Sequence, residues 1–335
     1  MRASPVIAIT AGDPCGVGPE VVLKALRSLR TARNAHLVVI GDHAVFRQAA
    51  RRLRVRLPRW RIVRPAQRWQ PTGPGTTFVD CAHRATFIPG RPTRAAGTAA
   101  LAYLDCAIGL ARACRIRALV TAPVTKWAIE RVSRGFVGQT EYLARAFRRR
   151  DVAMMFVSDR LRVVLLTRHL ALCDVPRAVN QRLLRATLRL TAEALQRHFR
   201  LRHPRLALCG LNPHAGEGGL FGQEERTVLL PVLRRLQLPG VICEGPFAAD
   251  GLFANARGFD AIVCWYHDQG LIPFKMAARD QGCQLSVGLP IVRTSPDHGS
   301  ALDIAGRGTA NPGSMIYALN LAVQLTARQC SPPPN

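Results

Sequence analysis

Asp260-Ala-Ile-Val-Cys-Trp-Tyr-His-Asp-Gln-Gly-Leu-Ile-Pro-Phe-Lys275 is the stretch from which the fold is read. Ala261 to Trp265 is apolar without helical spacing, as a strand buried on both faces requires. The run stops at His267-Asp268-Gln269-Gly270, so a buried strand delivers polar chemistry to the rim of a sheet. In open α/β sheets that rim, at the carboxyl ends of the strands, is where ligands bind. Leu161-Arg-Val-Val-Leu-Leu-Thr-Arg-His169 and Arg205-Leu-Ala-Leu-Cys-Gly-Leu-Asn-Pro-His214 repeat the pattern. A histidine after a strand is more often an ordinary loop residue. Three of the nine histidines in one setting favour a shared role, because three imidazoles can hold a divalent metal and leave a position open for substrate.

With 335 residues the chain has the length for one large α/β domain or two intertwined ones. The longest apolar runs fall short of the ~18 residues that span a bilayer. Val6 to Thr10 is too short for a secretory signal, and a cytoplasmic location is expected. The ten cysteines form no CxxC pair, which argues against a zinc ribbon, a redox motif or a disulfide framework. The net charge of +26 raises nucleic acid as a partner. The arginines are spread along the chain, however, and the clusters Arg51 to Arg68 and Arg148-Arg149-Arg150 have no aromatic interleaving beyond Trp60 and Trp69. A specific nucleic-acid site is therefore not expected. Lysine occurs at only three positions, Lys24, Lys126 and Lys275. Where arginine is the default cation, a retained lysine marks a place that needs a compact or deprotonatable amine.

Along the chain, Val6 to Thr10 reads as a first strand feeding a turn, Gly12 to Glu20, and a helix. The turn lacks the third glycine of a dinucleotide fingerprint, since Val21 stands there. His36 to Ile40 is a second strand. After an irregular arginine- and proline-rich stretch, Thr93 to Cys114 has helical periodicity. Ala118 to Ala122 is a buried strand that presents Lys126, a candidate catalytic amine, just past its end. Thr140 is expected to cap a helix opening at Gly138. Asp151 to Val157 and Leu161 to Thr167 form a hairpin. One long amphipathic helix is expected from Asp174 through Leu195. Ala215 to Gly222 is a glycine-rich loop suited to close approach of a ligand, and Glu224-Glu225 begin the next helix. Leu285 to Val292 is expected as one strand leading to Arg293, followed by a polar loop and a last helix to about Ala327.

Six blocks together carry a family resemblance: Gly12-Asp-Pro-Cys-Gly-Val-Gly-Pro-Glu20, Thr121-Ala-Pro-Val-Thr-Lys126, Gly138-Gln-Thr-Glu141, Asn212-Pro-His-Ala-Gly-Glu-Gly218, Tyr266-His-Asp-Gln-Gly270 and Arg293-Thr-Ser-Pro-Asp-His-Gly299. They resemble the 4-hydroxythreonine-4-phosphate dehydrogenase family of pyridoxal phosphate biosynthesis, from about residue 5 to residue 325. The resemblance implies an isopropylmalate-dehydrogenase-like α/β fold, two α/β domains with a cleft between them. Residues 1–130 with 285–328 would form the nucleotide-side domain, 131–284 a metal-binding and dimerisation domain, and 329–335 a disordered tail.

It also implies a chemistry. NAD or NADP takes hydride from C3 of 4-phosphooxy-L-threonine, and the β-keto acid loses CO2 to give 3-amino-2-oxopropyl phosphate. One divalent metal (zinc, magnesium or cobalt) would be held by His169, His214 and His267, one of them from a second subunit, so a homodimer with a shared active site is expected. Substrate contacts would fall on Gln139, Thr140, Lys275, Gln284 and Arg293. Asp297, His298, Gly299 and Asp303, in a loop similar to the nucleotide-binding loop of isopropylmalate dehydrogenases, would bind the cofactor. Lys126, Asp250 and Asp268 are the candidates for proton transfer and its support. Two departures bear on the substrate: Gln139 stands where the family pattern has histidine, and Gln284 where it has asparagine. Glutamine cannot carry a proton or charge, and at 284 it adds a methylene. The alternative is a divergent family dehydrogenase acting on another hydroxy acid, such as phosphorylated threonate or erythronate or a cis-dihydrodiol carboxylate.

Overall fold

The computed structural model describes residues 4–28, 35–71 and 73–329. Of the tail expected at 329–335, residues 330–335 lie outside the described residues. Twelve strands are labelled in chain order: β1 (Val6–Thr10), β2 (His36–Gly41), β3 (Arg61–Val63), β4 (Gly75–Asp80), β5 (Ala118–Thr121), β6 (Ala153–Ser158), β7 (Arg162–Leu165), β8 (Arg205–Cys209), β9 (Ile242–Phe247), β10 (Ala261–Cys264), β11 (Gly282–Val287) and β12 (Val292–Pro296). The chain divides into two compact units, Met1–Arg149 with Leu289–Ser331, and a second that runs Arg150–Gly288.

In the first unit the order is β3-β4-β2-β1-β5-β12, and every pairing is parallel. Parallel strands need helical crossovers, which cover both faces of the sheet and explain the unbroken apolar runs. All of β2 is buried, as are Ile7 to Thr10 of β1. The helices Gly18–Ser28, Arg94–Arg112 and Gly313–Gln329 belong to this unit.

The second unit has a mixed sheet in the order β11-β6-β7-β10-β8-β9. The hairpin expected across residues 158–160 is present as the antiparallel pair β6 and β7. Beyond it, β7, β10 and β8 are neighbours and run parallel. Their carboxyl ends therefore lie on the same edge.

Three local expectations are corrected. The helix expected from Asp174 to Leu195 is two helices, Val175–Ala178 and Gln181–Arg197. The break is at Asn180, whose side chain accepts from the Leu183 amide at 3.0 Å and so offers a better helix start than continuation. The strand expected from Leu285 to Val292 ends at Val287. Gly288 follows at φ +95°, a conformation that leaves the extended region, and Arg293 lies inside the next strand rather than after one. Thr140 does not cap its helix: the N-cap is Gly138, and Thr140 is the second residue of Gln139–Ala146.

Candidate functional site

The edge formed by β7, β10 and β8 carries the three histidine-bearing loops, with β10 in the middle. The loops are stitched together before any histidine is reached. Thr167, two residues before His169, gives both its amide (3.1 Å) and its hydroxyl (2.6 Å) to the Trp265 carbonyl, two residues before His267. Gln269 bridges the other way. Its Oε1 accepts from the Trp265 amide at 2.8 Å and its Nε2 donates to the Gly210 carbonyl at 2.8 Å, four residues before His214. Trp265, fully buried, fixes β10 to β8 through Nε1 donating to the Cys209 carbonyl at 2.7 Å.

His169 and His267 come together, with ring centroids 6.0 Å apart. The Nδ1 of His267 is 2.6 Å from Asp268 Oδ1. A carboxylate on one ring nitrogen fixes the tautomer and turns the other nitrogen outward, the arrangement found behind metal-bound imidazoles. His214 lies in a different setting, tilted against Phe221 at 6.3 Å. Among the described residues no group of three or more His, Cys, Asp or Glu side chains is arranged to hold a metal ion. The two paired imidazoles suit a shared divalent ion, and no third such donor joins them among the described residues.

The His214 turn is strained. His214, Ala215 and Glu217 have φ of 52°, 54° and 40°, and Gly216 and Gly218 continue the left-handed run. Non-glycine residues in this region cost roughly 1–2 kcal/mol each, so the surroundings must hold the turn. Glu225 does so. Buried to 2% exposure, its Oε1 accepts from the amides of Leu211 (2.7 Å) and Asn212 (2.8 Å), and its Oε2 from Asn212 Nδ2 (3.0 Å). Glu225 also opens a π-helical turn, Glu225–Leu229, in the run expected to be a plain helix. Of the other residues expected in this unit, Asp250 is exposed in the first turn of Ala249–Ala254. Lys275 is exposed on His267–Ala278. Gln284 is buried on β11, donating to Ser286 Oγ at 3.0 Å.

In the first unit the adjacent parallel strands β1, β5 and β12 present a second edge. Arg293, 3% exposed, lies between two threonine hydroxyls, donating to Thr140 Oγ1 at 3.2 Å and Thr121 Oγ1 at 2.6 Å. Gln139 donates to the Ala122 carbonyl at 3.2 Å. Lys126 is exposed, and a Cβ at Gly138 would meet its Cε at 4.0 Å and Glu141 Oε2 at 2.8 Å. The structure thus gathers Thr121, Lys126, Gln139, Thr140 and Arg293. Asp297 is held by Ser314, which takes its amide (3.0 Å) and donates to its Oδ1 (2.7 Å). His298 Nδ1 lies 3.0 Å from the Gly299 carbonyl. Gly299 and Asp303 are exposed, and a Cβ on Gly299 would meet nothing within 4 Å, so the loop is open to a ligand there.

Asp13 was not singled out by sequence. It is 1% exposed and its Oδ1 accepts from the Cys15 amide at 2.8 Å. Burial raises its pKa above the usual carboxylate range, against the pull of Thr125 and of the Cys15 amide. The Gly-Asp-Pro turn gave the only signal, and a turn aspartate is usually solvated. Glu225, Gln269, Thr167 and Thr121 were missed because their roles rest on partners distant in sequence.

Residues 33–322 match the family model described as pyridoxal phosphate biosynthetic protein PdxA. A 4-hydroxythreonine-4-phosphate dehydrogenase of Desulforapulum autotrophicum is 42% identical over 323 residues, 95% of this chain and 94% of that protein. A crystal structure of a 4-hydroxythreonine-4-phosphate dehydrogenase from Burkholderia phymatum, 37% identical, superposes with a TM-score of 0.78 over 97% of this chain and 99% of its own. A terephthalate 1,2-cis-dihydrodiol dehydrogenase from Burkholderia xenovorans, 34% identical, gives a TM-score of 0.65 over 96% of this chain and 98% of its own. The chain belongs to the PdxA family of 4-hydroxythreonine-4-phosphate dehydrogenases, a family of oxidoreductases.

Proposed function

We propose that the protein oxidises 4-phosphooxy-L-threonine at C3 with NAD or NADP, the product then losing CO2 to give 3-amino-2-oxopropyl phosphate for pyridoxal 5'-phosphate biosynthesis. The observation that carries the reading is the edge shared by β7, β10 and β8, where His169 and His267 pair and Asp268 backs His267. Zinc, magnesium or cobalt bound by these imidazoles would act as a Lewis acid on the substrate oxygen. His169 and His267 of one chain and His214 of a second copy form the ligand set, so the working enzyme is a homodimer in the cytoplasm. Asp268 keeps the His267 ring in one tautomer.

Arg293 supplies a buried positive charge for an anionic substrate group, and the Thr140 and Thr121 hydroxyls keep its plane fixed before substrate arrives. Lys275 adds a second cation. Gln139 and Gln284 contribute neutral hydrogen bonds. Lys126 is the group to move a proton, with Asp250 in support. Asp297, His298, Gly299 and Asp303 hold the nicotinamide cofactor, and Ser314 fixes the start of that loop.

A second reading has its own support. Gln139 removes an ionisable group from the phosphate side, and the 34%-identical relative is named for a cis-dihydrodiol. In that reading the substrate is another hydroxy acid. Reduced cofactor formation decides, measured with 4-phosphooxy-L-threonine, with its phosphate-free analogue and with added divalent metal. A strong preference for the phosphorylated substrate, abolished in His214→Ala, is expected. Equal turnover without phosphate would favour the second reading. Full activity and metal content in His214→Ala would remove the metal site.

A further inference from the structure

Lysine is scarce in this chain, and two of the three positions, Lys126 and Lys275, fall among the site residues above. The third does not. Lys24, on the helix Gly18–Ser28, donates from Nζ to Glu20 Oε1 at 2.8 Å, to the Gly308 carbonyl at 2.8 Å and to the Ala310 carbonyl at 2.7 Å. Glu20 is 4% exposed and faces the same segment. It accepts from the Ala310 amide at 2.9 Å and the Gly308 amide at 3.3 Å. One ion pair therefore holds both the amide and the carbonyl of Gly308 and of Ala310. Gly306 and Gly308 have φ of +76° and +77°, so this segment has a shape that its own local preferences do not dictate. Glu20 and Gly306 also line one groove with Pro14, Pro19 and Leu53.

The choice of lysine follows from geometry. Three oxygens converge on a single nitrogen, which an ammonium with three donors can satisfy. A guanidinium is planar and spreads its donors over three nitrogens, so it cannot meet three acceptors around one point. The common cation of this chain would not fit here.

We propose that Glu20 and Lys24 are positioning residues for the nicotinamide cofactor: they hold residues 306–310 in the shape that cofactor binding requires, and arginine cannot replace the lysine. The proposal rests on the reading that Asp297 and the residues after it bind the cofactor. Neither side chain takes part in hydride transfer, so the effect belongs on cofactor affinity and not on the bound reaction.

The test uses the full-length enzyme and Lys24→Arg, Lys24→Met and Glu20→Gln. Cofactor Kd is titrated with NAD and with NADP, KM and kcat are separated for cofactor and substrate, and amide exchange is followed over residues 297–310. The two lysine variants are expected to raise cofactor Kd and KM by about tenfold or more, while kcat at saturating cofactor stays within about threefold and substrate KM is unchanged. A rise in cofactor Kd and KM with kcat and substrate KM unmoved is the signature that a merely structural role would not give. Glu20→Gln keeps an oxygen acceptor and is expected to fall between; it also serves as the second variant should Lys24→Met not fold. Lys24→Arg with wild-type cofactor Kd would overturn the proposal, as would lowered melting temperatures with unchanged Kd. Absence of cofactor protection over 297–310 in the wild type would instead remove the loop assignment itself. Protection in the wild type with unchanged Kd in the variants removes only the clamp.

Discussion

Replacing Glu225 with alanine should release the His214 turn without unfolding the protein. The carboxylate takes the amides of Leu211 and Asn212 at 2.7 and 2.8 Å. Each orphaned amide costs about 1–3 kcal/mol where water cannot replace the acceptor, so the loss is roughly 2–6 kcal/mol. Asn212 Nδ2 is spared, because Glu224 Oε2 still accepts it at 2.8 Å. Against this stands the stored cost of His214, Ala215 and Glu217 at positive φ, about 1–2 kcal/mol each. The two sums are similar. Without the clamp the left-handed turn has little to hold it, and relaxing it is cheaper than keeping it.

The expected result is local. Amide exchange speeds up at residues 211 and 212 and through the turn, while the melting transition moves little. Zinc affinity, measured by chelator competition, falls by about 10–100-fold, the usual size when a group that orients a metal ligand is lost. Glu225→Gln keeps one oxygen for the two amides and should sit between. Unchanged exchange and unchanged zinc affinity in Glu225→Ala would refute the reasoning, since the turn would then be holding itself.

Two further outcomes are expected. Asp13 has a raised pKa in the folded chain from burial; a group of this kind contributes stability below the ordinary carboxylate pKa that is lost as pH rises through the folded value. Asp13→Asn should therefore be more stable than wild type to urea at neutral pH and no more stable at acid pH, and a variant less stable at neutral pH would refute the sign. Restoring an ionisable ring at Gln139→His should lower the KM for phosphorylated substrate by up to about tenfold as pH falls below ~6.5, with a flatter wild-type profile. Parallel profiles for the two proteins would show that position 139 does not face the phosphate.

The strands of both units were legible because strands buried on both faces leave unbroken apolar runs, and Ala261 to Cys264 or Ile7 to Thr10 allow no amphipathic reading. The histidines were legible by context, each a few residues beyond such a run. Their adjacency was not: β10 lies between β7 and β8, an order that the chain does not follow. Two breaks were hidden for opposite reasons. Gly288 lies within an apolar stretch that reads as one strand, and Asn180 within a periodic stretch that reads as one helix. The left-handed turn at 214 was visible only in part, since Gly216 and Gly218 announce it but His214, Ala215 and Glu217 do not. Glu225 looked like an ordinary helix-start carboxylate, and its partners on residues 211 and 212 could not be read from spacing.

Glu20 and Glu225 solve one problem twice, once in each unit. Each is a glutamate near the start of a helix, each is nearly inaccessible to water, and each accepts two backbone amides of a loop that local preference would not shape. The loops involved are those given to the cofactor and to His214. A carboxylate suits this task because its two oxygens can take several amides at once and its charge strengthens each bond. In a chain of 47 Lys and Arg against 21 Asp and Glu, most acids at the surface could be exchanged with little effect on any loop. Glu20 and Glu225 differ from these: their oxygens are committed to backbone amides, and they sit beside the two loops that carry the proposed chemistry. Surface charge and site charge thus answer to different constraints in this protein: the first is set by composition, the second by which backbone groups would otherwise be left without a partner.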